Sequence, residues 1–293
     1  MHSFLKSIGF YTITKKKQLQ EILDQIIENP DTMSLTQIDE DSNLAVATKY
    51  FGPDMGISVC GELNEQGKFE MEYYFPFLKS NYCSSIAPCL LKKQGEKEAY
   101  AGSCDDYRLG ITLIFYVNNF IEKKEIFSTT GREPKVEQIC LSGLAEEGKI
   151  LMEITKTSEQ KEAAKNRFLK RSEMIEAAKS GDTDAMEQLT MEEVNIFNHL
   201  NKQILKKDLY TLIDSFFMPY GVECDQYSIM GDILEMDEIT NSITNEVVYL
   251  FLVECNDLPI RIAINKKDLL GEPMVGRRFK GKIWLQGNLS FSQ

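Results

Sequence analysis

Between Leu44 and Thr155 the apolar residues of this chain recur at every second position, a period that confines the region to strands with one buried face. Phe69, Met71, Tyr73 and Phe75 alternate with polar residues, and Asn64-Glu65-Gln66-Gly67 turns the chain just before them. The same pattern predicts strands near 44–51, 56–63, 98–104, 109–118, 136–144 and 149–155. Turn signals stand at Gly95, Asn118-Asn119, Gly131 to Pro134 and Glu147-Gly148. Ahead of this region the period is helical. Leu19, Ile22, Leu23, Ile26 and Ile27 follow Thr14 at the spacing of one apolar face, which predicts a helix over 15–28 stopped by Asn29-Pro30. One helix on a mostly antiparallel sheet makes residues 1–156 an α+β domain.

At Thr157 the composition shifts to Glu, Lys, Ala and Gln, with no proline until Pro219. Thr157 with Gln160 reads as a capping box, Ala164, Phe168, Ile175 and Ala178 as an apolar stripe, and Gly181 as a helix end. Asp182-Thr183-Asp184 restarts a short helix, and Thr190 with Glu193 caps the next, whose buried face is Val194, Phe197, Leu200, Ile204 and Leu205. A third follows through Leu209, Leu212, Ile213, Phe216 and Phe217, closed by Pro219-Tyr220-Gly221. Residues 157–221 are thus expected to form a three-helix connector. Strands return at Tyr227 to Met236, Val247 to Cys255, Pro259 to Asn265 and Arg278 to Leu289, and four or five short antiparallel strands in residues 222–293 predict a small OB-like β-barrel domain.

A hydrophobic fraction of 43% with 27% charged residues is that of an ordinary globular protein, which excludes disordered, collagen-like and channel-forming classes. The acidic excess, 45 against 33 basic residues for a net charge of -12, opposes general attraction to nucleic acid or anionic membranes. The N-terminus lacks the features of a secretory signal, and the longest apolar run, Ile111 to Val117, is far short of the ~20 residues of a spanning helix. Seven cysteines, an odd number without a Cys-x-x-Cys pair, read as reduced, mostly buried thiols of a cytoplasmic protein. Histidine occurs only as His2 and His199, which leaves little material for a general base or a multi-histidine metal centre. His199 has no Glu-x-x-His partner and reads as a helix-surface residue.

Charge is segregated near the C-terminus. Asp208 to Asp257 holds eleven acidic residues and no Lys or Arg, whereas Pro259 to Gln293 holds seven basic residues against Asp268 and Glu272. On a strand, Arg278, Lys280, Lys282 and Trp284 share a face, which would suit single-stranded nucleic acid or another polyanion: cations on phosphates, the sole tryptophan on a base. The plainer reading pairs this stripe with acidic neighbours in the same sheet and leaves Trp284 to cap the core. Asp232, Glu235 and Asp237 are candidate ligands for a divalent cation, which prefers converging oxygens. Their spacing is not that of an EF-hand loop, and a regular strand would turn Asp232 away from Glu235 and Asp237, so a solvated acidic face explains them more simply.

Cys104 in Ser103 to Arg108 and Cys83 in Cys83-Ser84-Ser85 sit in polar loops where a thiol nucleophile would need a neighbouring base or cation, and no such partner is identifiable. Gly52 to Gly56 and Leu270 to Pro273 read as turns rather than phosphate loops, and Phe216 to Tyr220 as a packing cluster. No catalytic residue and no cofactor is assigned.

The opening Met1-His2-Ser3-Phe4-Leu5-Lys6-Ser7-Ile8-Gly9-Phe10, the run Phe217 to Asp225 and the ending Gly276 to Gly287 resemble a domain-of-unknown-function family of clostridial bacteria across essentially the whole chain. The resemblance implies a cytosolic bacterial protein and carries over no site residue. The leading expectation is a non-enzymatic binding or regulatory protein that acts through contacts with a protein partner. Polyanion binding by the Arg278 stripe and a divalent-metal-dependent hydrolase built on acidic residues are the alternatives.

Overall fold

The computed structural model describes residues 2–37, 43–64, 67–95, 97–153, 166, 170, 173–175, 177–178, 180–191 and 213–292. The expected first helix forms as α1 (Lys16–Glu28), with Leu19, Ile22, Leu23 and Ile26 buried on one side. Four strands follow as an antiparallel meander: β1 (Thr32–Gln37), β2 (Asn43–Gly52), β3 (Met55–Leu63) and β4 (Phe69–Leu78). α1 packs against β2 and β3 of this four-stranded sheet.

A ten-stranded sheet takes up the remaining strands: β5 (Cys89–Lys93), β6 (Tyr100–Asp106), β7 (Ile111–Val117), β8 (Val136–Leu151), β9 (Phe216–Pro219), β10 (Gln226–Thr240), β11 (Val247–Cys255), β12 (Leu258–Asn265), β13 (Leu269–Leu270) and β14 (Arg278–Phe291). Its order is β13-β8-β12-β11-β10-β14-β7-β6-β5, with β9 beside β10 and an additional β8–β14 pairing. The buried side chains of α1 and of both sheets, among them Leu23, Phe51, Phe77, Phe115, Leu141, Phe251 and Phe279, join in one hydrophobic cluster.

The expected α+β architecture is corrected at three points. First, residues 222–293 do not make a small antiparallel OB-like barrel of their own, because β14 pairs along its length with β8 (Phe291↔Val136 to Arg278↔Leu151) and β12 and β14 pair parallel with β8 and β7. The sheet is large and mixed, and the chain is mostly β. Second, no three-helix block stands among the described residues. Residues 173–175, 177–178 and 183–191 are helical, with Gly181 left-handed at φ 97 and the Asp182 carboxylate accepting from the N–H groups of Asp184 and Ala185 as a helix start. Phe216 and Phe217, however, belong to β9, where pairing with Met230 and Ile229 satisfies the backbone and buries Phe217. The expected capping residues Thr157 and Gln160, the stripe residues Ala164 and Phe168, and the predicted helix residues of 192–212 lie outside the described residues. Third, a second helix, α2 (Phe120–Thr130), follows the Asn118-Asn119 turn.

Glu147-Gly148, expected to turn, lies within β8, next to an extra residue at Glu146 that bulges the strand: Ala145 opposes Ile283 and Glu147 opposes Lys282. A Cβ at Gly148 would lie 2.5 Å from the Phe279 ring, so glycine is there to let β14 pack closely. At Leu234 an extra residue bulges β10: Ile233 opposes Val253 and Glu235 opposes Leu252.

Candidate functional site

The bulge at Leu234 reverses the expected facing of the acidic residues. With one residue looped out, Asp232, Glu235 and Asp237 are in phase on one side of β10, opposite Glu254, Leu252 and Leu250 of β11. Next in the row, Leu252 opposes Arg261 of β12. Acid, leucine and guanidinium therefore lie side by side across three strands.

From the other sheet, the tight turn between β2 and β3 brings Asp54 onto this row. Asp54 adopts the left-handed conformation at φ 58, which Asp tolerates better than most residues. Its carbonyl accepts from the Lys79 N–H at 2.7 Å, and its Oδ2 accepts from Arg261 Nη1 at 2.6 Å. Arg261 Nη1 also donates to the Lys79 carbonyl at 3.1 Å. The segment after β4 adds Asn81 and Tyr82, whose hydroxyl donates to the Glu235 carboxylate; that bond, more than the small burial of the ring, pushes the phenol's pKa up.

These groups enclose a cleft of about 230 Å³ lined by Asp54, Asn81, Tyr82, Glu235, Asp237 and Arg261, with β11 from Leu250 to Leu252 as its floor. The lining carries three carboxylates and one guanidinium, and the guanidinium is already held by Asp54. Of the three candidate metal ligands, Glu235 and Asp237 reach the cleft. Asp232 lies further along β10, in register with Glu254 on one side and Arg278 on the other. No group of three or more His, Cys, Asp or Glu side chains placed to hold a metal ion occurs among the described residues.

The candidate polyanion stripe does lie along one strand, but its members face inward or toward protein partners. Arg278 is 4% exposed and donates to the carbonyls of Met152 and Ile213. Lys280 lies over the Phe216 ring at 5.8 Å. Lys282 pairs with Glu147 at 2.7 Å and lies 4.4 Å over the Tyr220 ring, contacts that hold its ammonium pKa well above the ordinary value. Trp284 is buried against Phe4 and Tyr116, with Nε1–H donating to Asp225 Oδ2 at 2.7 Å.

Cys104 lies on β6 rather than in a loop, and burial pushes its thiol up to about 12. Burial does the same to Cys60 and Cys255. His2, packed on the Trp284 ring at 4.7 Å, is pushed down to about 4 by burial and then by the nearby positive N-terminus.

The sequence pointed to Glu235 and Asp237 but not to Asp54, Tyr82 or Arg261. Asp54 carried a local signal as a turn residue, and Arg261 fell inside a predicted strand. Nothing local relates the two, which are 207 positions apart.

Fold and cleft together define a mixed-sheet β-protein with an acidic inter-sheet cleft. The chain belongs to the family described as "Domain of unknown function, E. rectale Gene description (DUF3881)", which it matches over residues 5–287. This bears out the resemblance to a clostridial family of unassigned activity. No curated protein and no solved structure matches the chain. Among the described residues no helix is long and apolar enough to cross a membrane.

Proposed function

We propose that the protein is a non-enzymatic binding protein that acts through protein contacts, and that the cleft receives a positively charged side chain of its partner. The observation that carries this reading is the pairing of Glu235 and Asp237 on one face beside the buried leucines of β11, with the cleft's own cation engaged by Asp54. A lysine or arginine tip would meet carboxylates while its aliphatic stem lies along apolar side chains, the usual way such residues are accommodated. The net charge of -12 adds long-range attraction for a basic partner.

The test is a titration of the isotopically labelled protein with N-acetyl-lysine amide and N-acetyl-arginine amide, each a single basic side chain. The expected result is weak saturable binding, of order millimolar, with amide shifts centred on Glu235, Asp237 and Leu252. Glu235→Gln with Asp237→Asn should abolish it. Equal shifts with N-acetyl-glutamate amide, or shifts that avoid the cleft, overturn the reading.

A further inference from the structure

The last two strands at one end of the ten-stranded sheet carry a pair of thiols that the cleft does not use. β5 is five residues long and pairs with β6 alone among the strands of the sheet. In that antiparallel ladder Cys89 of β5 stands directly opposite Cys104 of β6. Directly opposed residues point to the same face, with Cα atoms ~4.5–5.5 Å apart, inside the ~4.4–6.8 Å range that a disulfide requires. Both thiols are free, Cys104 buried and Cys89 half-buried. β5 also exposes apolar surface, with Leu90 76% exposed and Ile86, just before the strand, 78% exposed. A short, partly apolar end strand held through one neighbour is the part of a sheet most prone to peel or to pair with another chain.

We propose that Cys89 and Cys104 are a modification site, a cross-strand dithiol that peroxide closes into a disulfide and so staples β5 to β6. The chemistry balances without further reactants. Cys89 loses its proton, and its thiolate attacks one oxygen of hydrogen peroxide; the O–O bond breaks, hydroxide leaves, and a sulfenic acid remains. The Cys104 sulfur displaces the sulfenic hydroxyl, the S–S bond forms, and water leaves with the Cys104 proton. Two thiols have lost two electrons, and peroxide has become two waters. The two thiols are close enough for Cys89 to raise the Cys104 thiol beyond the effect of burial, and closing the bond draws the two strands together by about 1 Å at this pair. Burial raises the Cys89 thiol to about 11 and the Cys104 thiol to about 12, so the reaction is slow at neutral pH and accelerates roughly tenfold per pH unit below those values.

The experiment treats the full chain with dilute hydrogen peroxide at mildly alkaline pH, alkylates the remaining thiols and maps peptides without reduction. The expected product is a Cys89–Cys104 linkage with the loss of two hydrogens. Amide exchange at Leu90 to Lys93 should become slower, and a reductant should reverse both. Cys89→Ser, at the half-buried position, should abolish the linkage and the slowing; Cys104→Ser serves as the second variant. The alternative pair is Cys83 with Cys140, which lies close enough to it to raise the Cys140 thiol after burial itself. A linkage between those two in place of Cys89–Cys104, or a Cys89 that remains fully alkylatable or proceeds to sulfinic acid uncrosslinked, overturns the proposal.

Discussion

Arg278, the buried first residue of β14, donates from Nη1 to the main-chain carbonyl of Ile213 at 2.9 Å, while its Nε donates to the carbonyl of Met152 at 3.0 Å. One buried guanidinium thus ties the end of β8 to the approach to β9. Two carbonyls at different angles suit a planar fork of donors better than a point charge.

Arg278→Met is therefore expected to cost about 2–4 kcal/mol, because two part-buried carbonyls lose the donor that a buried side chain supplies. Arg278→Lys should recover less than half of that. Urea unfolding of the three proteins measures both differences, and a loss below about 1 kcal/mol for Arg278→Met would remove the clamp from the account.

Glu246 holds the N-terminal segment to the second sheet. Its carboxylate accepts from the N–H groups of Tyr11 and Thr12 at 3.0 and 2.9 Å and from Asn265 Nδ2 at 2.7 Å. Burial alone would raise its pKa, but these hydrogen bonds outweigh it and hold the carboxyl below the usual value. A lowered folded value means that the stabilisation is complete above the ordinary glutamate value of ~4.3 and is lost as pH falls through the folded one. Glu246→Gln should cost about 2 kcal/mol at pH 7, and the gap to the parent should narrow in acid. A gap that stays constant with pH contradicts the assignment.

Trp284, the sole tryptophan, reports on Asp225. Burial raises the Asp225 carboxyl, and the indole hydrogen bond opposes it only in part. Because the folded value lies above the unfolded one, its contribution to stability is complete below the ordinary aspartate value and is lost as pH rises through the folded value. Tryptophan emission should change with a midpoint above the ordinary ~3.9, and Asp225→Asn should flatten that titration. Acrylamide should quench the native emission weakly, since the ring is 6% exposed.

Two glycines make a contrasting pair. At Gly231, where β10 passes from β14 to β11, a Cβ would lie 2.2 Å from the Glu254 carbonyl oxygen, so Gly231→Ala should cost about 3 kcal/mol or more. At Gly67 the space is open and only the positive φ of 75 opposes a side chain, so Gly67→Ala should cost about 1 kcal/mol. Thermal melts separate the two, and equal losses would refute the close approach at Gly231.

The local elements were legible wherever one period dominated. α1 formed at 16–28 against an expected 15–28, and Val247–Cys255 matched its predicted strand end to end. α2 escaped notice because its apolar residues make no single stripe: Phe120 and Ile121 are buried while Phe127 is 48% exposed. Phe216 and Phe217 fitted a helical spacing, but their strand depends on a partner, β10, that local sequence does not show. In the cleft, Glu235 and Asp237 stood out as acids, whereas Arg261 was one basic residue in a strand and Asp54 one turn residue among several.

What the amino-acid sequence by itself determined was the set of short-range preferences: where period two or period 3.6 holds, where Gly, Pro and Asn break it, and which faces are apolar. Tertiary structure alone decided that β8 and β14 share one sheet, that a bulge at Leu234 brings Asp232 into phase with Glu235 and Asp237, and that Asp54 reaches Arg261. Those outcomes depend on pairing register and on contacts distant in sequence, more than a hundred positions for β8 with β14 and for Asp54 with Arg261. Such pairings are selected by the burial of whole faces against one another, and no local window contains that energy.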